Sequence, residues 1–132
     1  MLLYLIVFIG AGIGGALRHG VNGLALRLAG PDFPYGTMMI NILGSLAMGL
    51  IAGFFAFRGG SSGIGAMGQS WKLFLTTGVL GGFTTFSAFS LDFATLWERG
   101  AMGGAAAYLL VSVVGSLVAI FAALTVAKAL WA

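Results

Sequence analysis

The sequence predicts an all-α membrane protein, with four transmembrane helices in one transmembrane domain over residues 1–132. Three observations carry that expectation. Apolar residues make up 60% of the chain and charged residues only 7%, where a soluble domain carries about 25% charged residues. Four apolar stretches each meet the roughly 20 residues that a spanning helix needs. Tyr4, Tyr35, Trp71, Trp97 and Trp131 fall near the predicted ends of those stretches, at the depth where amphipathic rings settle.

The first helix runs from about Leu2 to Leu28 and is interrupted only by Arg18, His19 and Asn22. It lacks a basic leading segment and is too long for a signal peptide, so it reads as a retained span. Gly30, Pro31, Asp32 and Pro34 end it, because lipid offers no water to repair a broken helix. The second helix covers about 35–57. A glycine- and serine-rich tract from Arg58 to Ser70 follows and reads as a flexible loop. The third helix covers about 71–97, Glu98-Arg99-Gly100 makes a tight connection, and the fourth helix covers about 101–131.

The 23 glycines include several at helical spacing: Gly10 and Gly14, Ser45 with Gly49 and Gly53, and Gly115 with Ala119. Small residues let helix backbones approach closely where no hydrophobic drive separates helix from lipid. Orientation follows the lysine and arginine bias of short loops. One side holds Arg58, Lys72 and Lys128 and the other Arg27 and Arg99, which is close to balance. Insertion in both orientations is therefore expected, and an antiparallel dimer is open to such a chain.

Several function classes drop out. With no cysteine there is no thiolate chemistry and no disulfide framework. The net charge of +3 comes from basic residues scattered singly, which is no footprint for nucleic acid. Paired carboxylates, a Ser-His-Asp set, a phosphate loop and a metal cluster are all missing from the sequence, so no enzyme is expected.

Polar groups inside the spans are expensive and are therefore functional candidates. Arg18 lies well inside the first apolar stretch. It reads as an anion-attracting vestibule residue, a structural hub, or a side chain that snorkels to the interface. Thr37, Asn41 and Ser45 follow i, i+4, i+8 spacing on one face of the second helix, and Tyr108, Ser112 and Ser116 do so on the fourth. Each stripe reads either as interhelical glue or as a polar track. The third helix carries the densest signal, from Gly78 through Ser90. As a straight helix, Trp71 to Trp97 would be about 39 Å long, beyond the roughly 30 Å hydrocarbon core. Gly81-Gly82 and Thr84-Thr85 therefore predict a break at mid-membrane, where backbone groups become available to ions. Phe86 and Phe89 share a face one turn apart. The positive edges of their rings can meet an anion without a formal charge, although the same spacing also suits lipid or core packing.

The chain resembles the Fluc (CrcB-like) fluoride channels along nearly its full length. The resemblance rests on Gly14-Gly15-Ala16-Leu17-Arg18, on Gly36-Thr37-Met38-Met39-Ile40-Asn41-Ile42-Leu43-Gly44, on the stretch Gly78-Val79-Leu80-Gly81-Gly82-Phe83-Thr84-Thr85-Phe86-Ser87-Ala88-Phe89-Ser90, and on Tyr108 to Gly115. It implies an antiparallel, dual-topology homodimer with two separate pores in the inner (plasma) membrane, letting fluoride leave the cytoplasm passively and relieving its toxicity. It implies Phe86 and Phe89 as pore phenylalanines. It further implies Asn41, Ser87, Tyr108 and Ser112 as polar groups of the fluoride pathway, and Arg18 as the family's first-helix arginine. Backbone carbonyls of Gly81 and Thr84, from both subunits, would hold a structural sodium ion at the dimer interface. Ala88 stands where many members have threonine and His19 where an aromatic is usual. A small multidrug exporter would share the size and topology but would want a glutamate inside the first helix, and the only glutamate here is Glu98. A membrane assembly subunit would leave Asn41, Thr84 and Thr85 without a role.

Overall fold

The computed structural model describes residues 1–58 and 65–132, and all of its regular structure among them is helical. Four helical spans are long and apolar enough to cross a membrane. The first is α1 (Leu2–Ala29) and the second α2 (Tyr35–Arg58). The third is composite. It starts as α3 (Ala66–Leu73), widens into π-helical turns over Phe74–Leu80, and closes with the short α4 (Gly81–Phe83). After two non-helical residues it resumes as α5 (Phe86–Glu98), and the fourth span is α6 (Met102–Trp131).

The expected loop from Arg58 to Ser70 is thus helical from Ala66 onward, and its residues 59–64 lie outside the described part. The third span starts about five residues earlier than the aromatic marker Trp71 suggests. Glycine carries on through Gly68 and Gly78 without ending the helix, because packing outweighs its weak propensity. Among the described residues the two glycines with positive φ stand just past helix ends, Gly30 at 77° and Gly100 at 75°. Only a residue without Cβ takes that conformation readily.

Two helix pairs make the closest approaches. In one, Gly10 of α1 lies on Gly78 and the Phe74 carbonyl, while Gly82 faces the Ala11 carbonyl. The first span therefore touches the π-helical turns and α4 backbone to backbone. In the other, Gly49 of α2 lies under Ala123 and the Ile120 carbonyl of α6, and Gly53 lies against Ala127. The small residues at helical spacing are contact faces, with one exception: Ser45 opens onto a cavity. A compact aromatic core of Phe89, Leu96, Ala105 and Tyr108, flanked by Phe33, Met38 and Phe93, fills the end where α5 meets α6. The outward faces of all four spans carry large apolar side chains such as Phe8, Leu28, Leu91 and Phe121, as lipid or a neighbouring subunit requires.

Candidate functional site

The site grows from the interruption of the third span. Thr84 (φ −76°, ψ 156°) and Thr85 (φ −155°, ψ 120°) are extended; the Thr84 N–H still donates to the Leu80 carbonyl at 2.9 Å, whereas the Thr85 N–H and carbonyl leave the helical ladder. In lipid each such group must find another partner. The Asn41 side chain, from the second span, supplies it. Its Nδ2 donates to the Thr85 carbonyl at 3.0 Å, and its Oδ1 accepts from the Thr85 N–H at 2.9 Å. The amide thus replaces a missing stretch of backbone. Thr85 also caps α5, its hydroxyl accepting from the Ala88 N–H at 3.2 Å, which is the ordinary way to satisfy an orphan donor at a helix start.

This arrangement fixes what Asn41 has left. A primary amide carries two N–H donors, and one is engaged with Thr85, so one remains. Beside it a cavity of about 380 Å³ opens between α2, the interruption and α6, lined among others by Asn41, Ser45, Phe86, Phe89, Ser112 and Ser116. The polar stripes of the second and fourth helices therefore face each other across one space. Phe86 and Phe89 stand at its wall with ring centroids 5.5 Å apart and planes tilted by 41°. Phe89 is buried, whereas Phe86 is 77% exposed. Ser112 is buried, and its hydroxyl has no hydrogen-bond partner among the described residues. A buried hydroxyl without a partner is costly, and here it belongs to the cavity wall.

Tyr108 packs behind Phe89 of that wall. It is fully buried. Its ring lies 5.2 Å from that of Phe89 and meets Phe33 edge-on at 5.7 Å. Its hydroxyl donates to Asp92 Oδ2 at 3.1 Å. Asp92 and Phe33 in turn line a second cavity of about 290 Å³, which Asn22, Thr37, Thr95 and Arg99 also line. Tyr108 therefore contacts residues of both walls, Phe89 of the first cavity and Asp92 and Phe33 of the second.

Not every expected residue joins this group. Ser87 is exposed and spends its hydroxyl near that of Thr85, at 3.3 Å. Arg18 is half-buried on α1 and lines neither of the two cavities. Thr84 is the first residue of the interruption and Gly81 opens the short α4 just before it. Because the Thr85 N–H turns to Asn41, the Gly81 carbonyl loses its i+4 donor, and Gly81 itself is exposed. A freed, exposed carbonyl is an oxygen ligand suited to a hard cation. Among the described residues no group of three or more His, Cys, Asp or Glu side chains could hold a metal. Residues that the sequence did not single out for the site are Thr85, whose backbone Asn41 holds, and Arg99 at the second cavity. The signal for Thr85 was its place in the Thr-Thr pair, while nothing in the spacing pointed to Arg99.

Residues 5–124 match the family described as CrcB-like protein, Camphor Resistance (CrcB). Among individual proteins, the chain is similar to a fluoride-specific ion channel FluC of Methylobacterium nodulans, at 59% identity over 97% of this chain and 98% of that one. It is similar also to one of Mesorhizobium japonicum, at 55% identity over 96% of each chain, and to one of Granulibacter bethesdensis, at 50% over 98% of each.

Proposed function

The chain belongs to the CrcB-like family, and from that premise we propose that it is a fluoride-selective passive channel that lets fluoride leave the cytoplasm and so limits its toxicity. It is a multi-pass protein of the bacterial inner membrane and does no covalent chemistry. The observation that carries the mechanism is the cavity between α2 and α6. There, two phenyl rings, a spare Asn41 N–H and the unpartnered Ser112 hydroxyl converge on one space.

Fluoride is small and holds its water tightly. A narrow dry path must replace that water with donors, and no single site may bind so strongly that the ion stays. Asn41 and Ser112 offer neutral donors. Phe86 and Phe89 offer ring edges, which carry weak positive potential and no formal charge. Tyr108, packed on Phe89 of one cavity and bonded to Asp92 of the other, would offer its hydroxyl where a path joined the two.

The working unit of this reading is an antiparallel homodimer with two pathways. The near-balance of basic residues between the two ends supports it, and so does the exposure of Phe86, which a second copy would cover. A structural sodium ion at the dimer interface would be held by Gly81 and Thr84 carbonyls of both subunits. The freed carbonyl of Gly81 and the space around it fit that ion, which would supply charge to tie the two interruptions together. Arg18 would serve the outer vestibule from α1.

Fluoride efflux from liposomes, with a potassium ionophore to set the voltage and chloride as control, tests the reading. Fast fluoride loss without chloride loss is expected, and demonstrably dimeric protein that passes no fluoride would refute it. Phe86→Ile keeps volume and apolarity but removes the ring edge, and it is expected to abolish efflux while leaving the dimer intact by size-exclusion chromatography. Ser112→Ala separates function from folding. Removing a hydroxyl that has no partner is expected to leave stability unchanged or raise it by about 1 kcal/mol, yet efflux should fall at least tenfold. A destabilised Ser112→Ala protein with wild-type efflux would show the hydroxyl to be structural.

A further inference from the structure

We propose that Arg99, at the turn between α5 and α6, gathers fluoride at the mouth of the second cavity and sets how fast the ion enters the pathway. The inference rests on the channel reading above but concerns a residue that the pathway itself does not contain.

The geometry is specific. Arg99 lines the 290 Å³ cavity together with Asp92, Thr95, Asn22 and Thr37. Its Nη2 donates to the backbone carbonyl of Asp32 at 2.8 Å. That bond ties the guanidinium to the α1–α2 connection, whose residues from Gly30 to Pro34 also line the cavity. A guanidinium has five N–H donors in a planar fork, so most remain for the cavity after this bond. The partner is a carbonyl and not a carboxylate, so the charge is not cancelled. Among the described residues no acidic group lies within ion-pair distance of it. Asp92 stands in the same cavity with one oxygen engaged by Tyr108. A carboxylate there repels an approaching anion, Asp32 lines the same cavity, and Glu98 precedes Arg99 in the chain. The cavity needs an opposing charge at its mouth to admit fluoride, and Arg99 is the cationic side chain on its wall.

The size of the effect follows from Coulomb's law. A monovalent anion about 5 Å from a unit positive charge, in the dielectric of bulk water, is concentrated about fourfold. The effect depends on screening, because the Debye length falls from about 30 Å at 0.01 M salt to about 3 Å at 1 M. A positioning role through Asp32 would not depend on salt.

Substituting Arg99 by a neutral residue also disturbs the balance of basic loops, and with it the orientation of insertion. The charge is therefore best altered after assembly. The chain has no cysteine, so Arg99→Cys carries a single thiol that can be modified in the purified dimer before reconstitution. One portion receives a cationic trimethylammonium-ethyl thiosulfonate and another the anionic sulfonatoethyl reagent. At about 0.01 M ionic strength, the unmodified variant should pass fluoride about fourfold more slowly than wild type. The cationic adduct should restore the rate and the anionic adduct should lower it further. At about 1 M inert salt the three should converge. As a second variant, Arg99→Lys should keep both the wild-type rate and its salt dependence. Equal rates for the two adducts at low salt would overturn the proposal. So would an equal loss in every form at every salt concentration, which would leave Arg99 only the strap to Asp32. Failure of the wild-type protein itself to pass fluoride would instead overturn the channel reading, and this proposal with it.

Discussion

Gly14→Ala is expected to unfold the contact between the first and third spans, at a cost of about 3 kcal/mol or more. A Cβ at position 14 would press into the Val79 carbonyl oxygen and come within 2.8 Å of the Phe83 backbone nitrogen. Both atoms belong to backbone, so no rotamer change relieves the clash, and α1 must move away from the π-helical turns. Gly10 and Gly82, which make similar approaches along the same seam, would be pulled apart with it. Loss of the monodisperse peak in size-exclusion chromatography, and a lowered melting temperature in detergent, are the readouts. Gly12→Ala is the matched control. The same methyl group there meets nothing within 4 Å, and alanine favours a helix over glycine by about 0.8–1.0 kcal/mol, so no destabilisation is expected. Equal melting of both variants would show that the close approach contributes nothing.

Asn41→Ala is expected to lose stability and fluoride efflux together. The substitution strands the Thr85 N–H and carbonyl, in a residue that is itself buried. Each stranded group costs about 1–3 kcal/mol, so the sum is comparable to the margin on which most domains stand, roughly 5–15 kcal/mol. Asn41→Asp dissects the two roles. Its carboxylate can still accept from the Thr85 N–H, but its second oxygen faces the Thr85 carbonyl and its charge faces the path of an anion. Efflux should vanish, with a smaller loss of melting temperature than in Asn41→Ala. Thermal melts and liposome efflux on the same preparations decide the matter, and an Asn41→Ala protein with wild-type values in both would refute the bracing role.

Much of this fold was legible in the sequence for a simple reason. Twenty-odd apolar residues between Pro-Gly and Gly-Ser punctuation leave a chain few alternatives in lipid, and the spans began and ended close to those marks. The position of the interruption was legible too, though for partly different residues than expected. Gly81 and Gly82 remain helical in α4 and Gly82 serves the contact with α1, while Thr84 and Thr85 carry the break. The facing of the two polar stripes could be anticipated as stripes but not as a pair, because which faces meet is decided by packing. The partners of Asn41 and Arg99 were not legible at all. Each bonds to a backbone group, at Thr85 and Asp32, 44 and 67 residues away, and a backbone carbonyl leaves no mark in an amino-acid alphabet. The π-helical turns over Phe74–Leu80 likewise leave no side-chain period to read.

The bond between Asn41 and Thr85 also bears on how the protein is made. Ribosomes deliver the second span well before the third, so the Asn41 amide is already in the bilayer when Thr85 arrives. A third span released first would hold two unsatisfied backbone groups in hydrocarbon, each costing several kcal/mol. The order of the chain spares the nascent protein that state, since the splint is synthesised before the fracture it sets. A permuted chain in which the third span preceded the second would have to cross the insertion machinery with its interruption bare.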